Sequence, residues 1–90
     1  MVRYEPGQFA RSLAGRDKGR LYIILASEGE YVSLTDGKHR TAERPKRKKK
    51  KHVQLQDSKN ESIKEKLMQK ETIRDEEIRR ILKEADTVLR

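Results

Sequence analysis

Residues 9–26 read Phe-Ala-Arg-Ser-Leu-Ala-Gly-Arg-Asp-Lys-Gly-Arg-Leu-Tyr-Ile-Ile-Leu-Ala, the pattern of a strand, a basic turn and a second strand. Two glycines four residues apart, Gly15 and Gly19, enclose two cations and Asp17. Glycine adopts positive φ at little steric cost, and aspartate can close an Asx-type turn on its own backbone. The stretch therefore predicts a tight turn with outward cations and with at least one glycine at positive φ. Such a turn fits either a phosphate backbone or an ordinary hairpin.

Length and composition limit the class of protein. Ninety residues allow one small domain plus an appendage, and 23 Lys and Arg against 15 Asp and Glu give a net charge of +8. This balance favours a polyanionic partner, nucleic acid ahead of an anionic membrane. The absence of cysteine excludes disulfides, thiolate metal sites and cysteine nucleophiles. Without an apolar leader or membrane-spanning run, the sequence predicts a soluble, intracellular, cytoplasmic protein.

The chain divides near residue 57 into two segments of different character. Residues 1–57 carry 14 Lys and Arg against 7 Asp and Glu, whereas residues 58–90 carry 9 against 8. The first segment is punctuated by glycine and rich in β-formers, and the second contains neither glycine nor proline. We therefore expect a β domain over residues 1–57 and a helical segment over residues 58–90.

Short strands with tight turns are expected throughout the first segment. The predicted strands cover residues 8–13, 21–26, 31–35, 38–43 and 52–55, with Phe9 and Leu13 sharing one face of the first. Asp36-Gly37 is the dipeptide favoured in two-residue type I′ turns and should lead into the fourth strand. The strand 21–26 is apolar on both faces, so something outside the sheet must cover it. The pattern predicts a mainly β fold, a small five-stranded SH3-like barrel followed by a C-terminal pair of α-helices.

A run of six cations at residues 46–51 follows Pro45, and the sequence predicts it as part of a basic loop over residues 44–51. Mutual repulsion disfavours compact local structure, so we expect an extended loop or a mobile strand margin. Three explanations stay open for this run: a solvated tract without a specific role, a nuclear-import-type signal, and a phosphate-binding arm.

Helical periodicity governs the second segment, with helices predicted over about residues 59–70 and 73–89. Ser58 or Asn60 can cap the first, and Thr72 or Asp75 the second. The second helix carries a continuous apolar stripe composed of Ile78, Ile81, Leu82, Ala85, Val88 and Leu89. This stripe either packs on the barrel or on the first helix, or serves as a docking or dimerising surface.

Several stretches together resemble the KOW-motif ribosomal proteins. They are residues 7–10, residues 14–20 ahead of an apolar strand, residues 35–38, and the lysine-rich run ending at residues 51–53. The chain is most similar to small bacterial KOW-domain RNA-binding proteins, which are related to the large-subunit ribosomal protein group called L-fourteen-e. The resemblance covers roughly residues 6–55. It implies an SH3-like barrel whose turn lies on ribosomal RNA, with Gly19 as the motif glycine and Arg16, Asp17 and Lys18 as turn residues.

These observations favour a non-enzymatic RNA-binding protein associated with the ribosome or with translation. The expected partners are ribosomal RNA and ribosomal proteins, with no cofactor, metal, membrane or small-molecule substrate. The candidate RNA-binding residues are Arg16, Lys18, Arg20, Lys38, Arg40, Lys46, Arg47, Lys48, Lys49, Lys50, Lys51 and His52, and the structural turn residues are Gly15, Asp17 and Gly19. The alternative is a protein-interaction adaptor or transcription-elongation KOW module that uses the C-terminal helix.

Overall fold

The computed structural model describes residues 3–88, apart from the side chain of Asp57. Five strands precede two helices along the chain. The strands are β1 (Gln8–Ser12), β2 (Leu21–Glu28), β3 (Tyr31–Thr35), β4 (Lys46–Lys49) and β5 (Val53–Lys59). A single 3-10 turn at Lys50–His52 links β4 to β5, and the helices are α1 (Glu61–Met68) and α2 (Asp75–Val88).

The strands form one curled antiparallel sheet in the order β4-β3-β2-β1-β5, a half-barrel consistent with a small SH3-like barrel. Register shifts interrupt the β1–β5 pairing between Gln8 and Ala10, and the β2–β3 pairing between Ile24 and Ala26. Such bulges bend a strand and increase its twist, which helps a short sheet to curl. The predicted fold class, a mainly β half followed by a helical pair, is confirmed.

The concave side of the sheet holds the inner cluster. Alternation along the strands places one set of apolar side chains on this face. Its buried members are Ala10, Tyr22, Ile24, Val32, Leu34 and Val53.

The opposite side of the sheet is covered by the helices, which bury the outer cluster. Phe9, Leu21 and Ile23 supply the sheet side of this cluster. Its helical side comes from Ile63, Ile73, Ile78 and Leu82. The alternative in which the stripe of the second helix packs on its own barrel is thereby confirmed for Ile78 and Leu82, with Ile81 and Ala85 partly buried beside them, whereas Val88 is 80% exposed. Leu89 of that stripe lies outside the described residues. The predicted boundary near residue 57 falls within β5, and the outer cluster joins residues from both sides of it.

The fourth strand is not where the sequence placed it. Residues 36–45 form a loop, and the strand that pairs with β3 is Lys46–Lys49, inside the run predicted as a basic loop. The loop satisfies its own polar groups, since Asp36 Oδ1 accepts hydrogen bonds from the backbone N–H groups of Lys38 and Arg40. The two-residue turn predicted at Asp36-Gly37 is therefore also wrong.

Smaller differences occur at the ends of elements. Leu13 lies beyond β1 and is 44% exposed, so it does not share the buried face of Phe9 as predicted. Asn60 caps α1 by accepting a hydrogen bond from the Ile63 N–H, one of the two predicted caps. Asp75 begins α2, and its Oδ1 accepts a hydrogen bond from the Ala42 N–H, which ties the loop to the helix. Neither helix within residues 3–88 has the length and apolar composition required to cross a membrane.

Candidate nucleic-acid interface

The basic turn between β1 and β2, residues 14–20, is closed by its own backbone. The Gly19 N–H donates to Ser12 O at 2.8 Å, and the Ser12 N–H donates to Arg20 O at 3.0 Å. Gly15 and Gly19 have φ values of 86° and 90°, which L-residues rarely adopt. The prediction that at least one glycine has positive φ is therefore confirmed for both. The turn is tight because glycine permits a reversal that a side chain would strain.

Asp17 does not close an Asx turn, contrary to the prediction. Its carboxylate points into the end of the half-barrel, where it accepts four side-chain hydrogen bonds and is buried. The donors are Ser12 Oγ and Lys48 Nζ to Oδ1, at 2.9 and 3.0 Å, and Tyr22 OH and Lys46 Nζ to Oδ2, at 2.7 and 2.9 Å. The buried charge is stable there because two ammonium groups and two hydroxyls take the place of water.

The protonation equilibria of this cluster follow from its contacts. Burial acts to raise the pKa of Asp17, but the hydrogen bonds from Tyr22, Lys46, Lys48 and Ser12 outweigh it and hold that pKa well below its ordinary value. Burial and the adjacent Asp17 carboxylate raise the pKa of Tyr22 to about 12. The carboxylate is therefore ionised and the phenol neutral at physiological pH.

The lysine-rich run is divided by strand alternation. Lys46 and Lys48 lie opposite Leu34 and Val32 of the inner cluster, so their side chains run along the concave face to Asp17. The run was predicted as an extended loop or mobile margin. Instead, two of its lysines pair with one buried carboxylate, which offsets one positive charge and reduces the repulsion along the strand. Two candidate RNA-binding residues are thus committed to a structural contact.

A cleft of about 650 Å³ lies beside the basic turn. Three separate segments line it: the turn, the loop after β3, and α2. Its floor includes the buried side chains of Leu21 and Leu82. Its cationic lining residues are Arg16, Lys18, Arg20, Lys38, Arg79 and Lys83, with His39 beside them.

The carboxylates of the cleft are engaged in contacts of their own. Asp17 holds the two lysines of β4. Asp36 Oδ2 lies 3.6 Å from the Arg20 guanidinium, and Asp86 Oδ1 lies 3.1 Å from that of Arg11. The cleft therefore presents a surplus of positive charge to solvent.

All six cations of the cleft are exposed, and within residues 3–88 the side chains of four of them form neither an ion pair nor a hydrogen bond. These four are Arg16, Lys18, Lys38 and Lys83. Arg79, by contrast, donates from Nη1 to Gly37 O and fastens α2 to the loop. Arg79 and Lys83 are not among the residues predicted from the sequence, although their four-residue spacing places both on one helical face.

The other candidate residues lie outside the cleft. Arg47 stacks on Tyr31, with its guanidinium carbon 3.9 Å from the ring centroid. Lys49, Lys50 and Lys51 line a separate hollow of about 310 Å³ with Gly29 and Glu30. Arg40 is exposed in the loop, and His52 is half-buried at the end of the 3-10 turn. The predicted set thus separates into a cleft group, a structural pair, a group around β4, and Arg40 in the loop after β3.

No family model matches the chain, and neither does any curated protein.

Proposed function

We propose that this protein binds folded RNA by contacting phosphates from the cationic cleft. The observation that carries the proposal is the convergence of Arg16 and Lys18, Lys38, and Lys83 on one cleft from three segments distant in sequence. Phosphate contacts from Lys and Arg provide most of the sequence-independent affinity for nucleic acids. The resemblance of residues 14–20 to the KOW motif supports the same function and suggests ribosomal RNA, with ribosomal proteins as neighbours, in the cytoplasm.

The chemistry of the cleft favours backbone contact over base stacking. Its cations surround an apolar floor, and no Phe, Tyr or Trp is among its described lining residues. Proteins that read single-stranded RNA typically stack bases on aromatic side chains, whereas folded RNA is recognised through shape and phosphate contacts. A non-enzymatic role in binding a folded RNA is therefore the function that best fits this cleft.

The adaptor alternative depended on an unpartnered C-terminal helix. Ile78 and Leu82 of α2 are buried against the protein's own sheet, and Ile81 and Ala85 are partly buried beside them. Of the described stripe residues, Val88 alone is largely exposed. The exposed side of α2 instead contributes Lys83 to the cleft. This arrangement favours RNA over a protein partner docked on the stripe.

The test measures affinity for a labelled RNA hairpin over a salt series. The variant Arg16→Gln/Lys38→Gln/Lys83→Gln removes one exposed cation from each segment. Its control, Lys70→Gln/Arg74→Gln/Arg80→Gln, removes three exposed cations that do not line the cleft. We expect the cleft variant to reduce the slope of log affinity against log salt by about 2, at ~0.7 per phosphate contact. The control should change it much less.

Two results would contradict the proposal. Absence of hairpin binding by the unaltered protein at low salt would exclude it. Equal losses in the two triple variants would mean that net charge attracts RNA without a defined site. Sedimentation with ribosomes in moderate salt, compared between the same variants, tests the ribosomal part separately.

A further inference from the structure

Strand β4 has two faces with different roles. Lys46 and Lys48 point to the concave side, where Asp17 binds both. Because successive side chains of a strand point to opposite faces, Arg47 and Lys49 lie on the outer side of the sheet. Their cross-strand partners, Ser33 and Tyr31, are likewise outside the inner cluster. The lysine-rich run looks uniform in sequence, but one face of β4 is paired with Asp17 and the other faces solvent.

The outer face is exposed and partly ordered by an aromatic ring. Arg47 and Lys49 on this face are exposed, and so is Lys51, which belongs to the 3-10 turn after β4 and lines the same hollow as Lys49. We call these three residues the outer β4 surface. Within the described part of the chain, none of the three is in an ion pair. The Tyr31 ring supports the Arg47 guanidinium by a cation–π contact, which leaves the donors at the edge of the guanidinium available to an anion.

The outer β4 surface and the cleft lie on the same side of the sheet. Tyr31, under Arg47, begins β3, and Thr35 ends it immediately before Asp36 in the cleft lining. The four residue steps from Tyr31 to Thr35 span about 14 Å, at ~3.4 Å per residue. Leu21 of the cleft floor belongs to the outer cluster, which locates the cleft on the outer side as well.

We infer that the outer β4 surface is a second phosphate-binding surface, and that one folded RNA spans it and the cleft. The inference rests on the proposed function and adds that the ligand presents backbone phosphates both at the cleft and along β4. Arg47 and Lys49 lie opposite Ser33 and Tyr31, which are about 7 and 14 Å from Thr35 along β3, at ~3.4 Å per residue. A folded RNA offers phosphates at this separation across a groove or at a junction.

Protection of a sheet edge is the competing explanation. β4 is an edge strand, and lysines on edge strands prevent pairing with other molecules. Edge protection requires charge on β4 but assigns no RNA to it. Removing the cations of the outer β4 surface should therefore weaken RNA binding if the surface binds phosphates, and increase self-association if it protects the edge.

The test compares Arg47→Gln/Lys49→Gln/Lys51→Gln with the control Lys70→Gln/Arg74→Gln/Arg80→Gln on the same RNA hairpin. We expect the outer variant to reduce the salt slope by about 2 on the scaling of ~0.7 per contact, additively with the cleft variant. Thermal unfolding should be unchanged for the outer variant. If it is lowered, Lys49→Gln/Lys51→Gln repeats the test without removing the Arg47–Tyr31 contact. Titration of the hairpin into the protein, at concentrations well above the Kd, should give a stoichiometry of one hairpin per chain.

Several results would overturn the inference. An unchanged salt slope with increased self-association in sedimentation would assign the outer β4 surface to edge protection. A stoichiometry of two hairpins per chain would show independent sites. If only the cleft variant weakens binding, the inference fails and the proposed function stands. If the unaltered protein binds no hairpin, both fail.

Discussion

Lys48 Nζ lies 3.0 Å from Asp17 Oδ1, and the two side chains are only 9% and 6% exposed. This buried ion pair joins the basic turn to the lysine-rich strand, two features 31 residues apart in the chain. Lys46 occupies the other carboxylate oxygen at 2.9 Å. The carboxylate therefore joins the turn to β4 at the end of the half-barrel. Its loss should reduce the stability of the protein more than its affinity for RNA.

Asp17→Asn should reduce the free energy of unfolding by about 2 to 4 kcal/mol, because it leaves two shielded ammonium groups without a counter-charge. Chemical denaturation measures this quantity. The control is Glu76→Gln, which breaks the exposed pair with Arg74 and should change stability by about 0.5 kcal/mol or less. Equal effects of the two substitutions would contradict a structural role for Asp17.

The Asp17 contribution should disappear in acid. The pKa of Asp17 in the folded protein is depressed, whereas that of the unfolded chain is about 3.9. Its stabilisation is therefore fully present above the unfolded pKa and is lost as pH falls toward the folded pKa. The stability difference between the unaltered protein and Asp17→Asn should be constant between about pH 5 and 7 and shrink below about pH 4. A difference that persists unchanged in strong acid would assign the effect to geometry instead of charge.

Gly37→Ala should destabilise the protein more than Gly19→Ala. Both glycines have positive φ, so either substitution adds backbone strain of about 1 to 2 kcal/mol. A Cβ on Gly37 would also lie 2.5 Å from the backbone oxygen of Asp75, whereas one on Gly19 meets nothing within 4 Å. We expect a total loss of about 2 to 5 kcal/mol at Gly37 by thermal or chemical unfolding. Similar losses at both positions would mean that α2 yields to the added methyl group.

Ile78→Ala should show how much the helical cover contributes. Ile78 is fully buried in the outer cluster, so the truncation should cost about 2 to 5 kcal/mol. Val88 on the same helix is 80% exposed, and Val88→Ala should change stability by less than about 0.5 kcal/mol. An unchanged unfolding midpoint for Ile78→Ala would indicate that the sheet is stable without its helices.

Local chemistry made much of the fold predictable from sequence. Glycine spacing specified the basic turn, and the bounds of β3 matched the prediction because its apolar alternation lies between two turn signals. The two-faced apolar pattern of β2 required an outside cover, and the stripe of α2 provides it. The prediction of the fourth strand was wrong because Asp36 Oδ1 accepts hydrogen bonds from the backbone N–H groups of Lys38 and Arg40 and holds these residues in a loop. The turn preference of the Asp-Gly dipeptide does not reveal such contacts.

The sequence by itself determined the basic turn, the half-barrel pattern, the amphipathic second helix and the excess of positive charge. Only the tertiary structure decided which cations face solvent. Lys46 and Lys49 are both lysines of β4, three residues apart. Lys46 forms an ion pair with Asp17, whereas Lys49 is exposed to solvent. Lys83 joins the cleft only because α2 crosses the sheet there. Charge follows from composition, but its accessibility depends on strand alternation and on a buried counter-ion that folding brings from elsewhere in the chain.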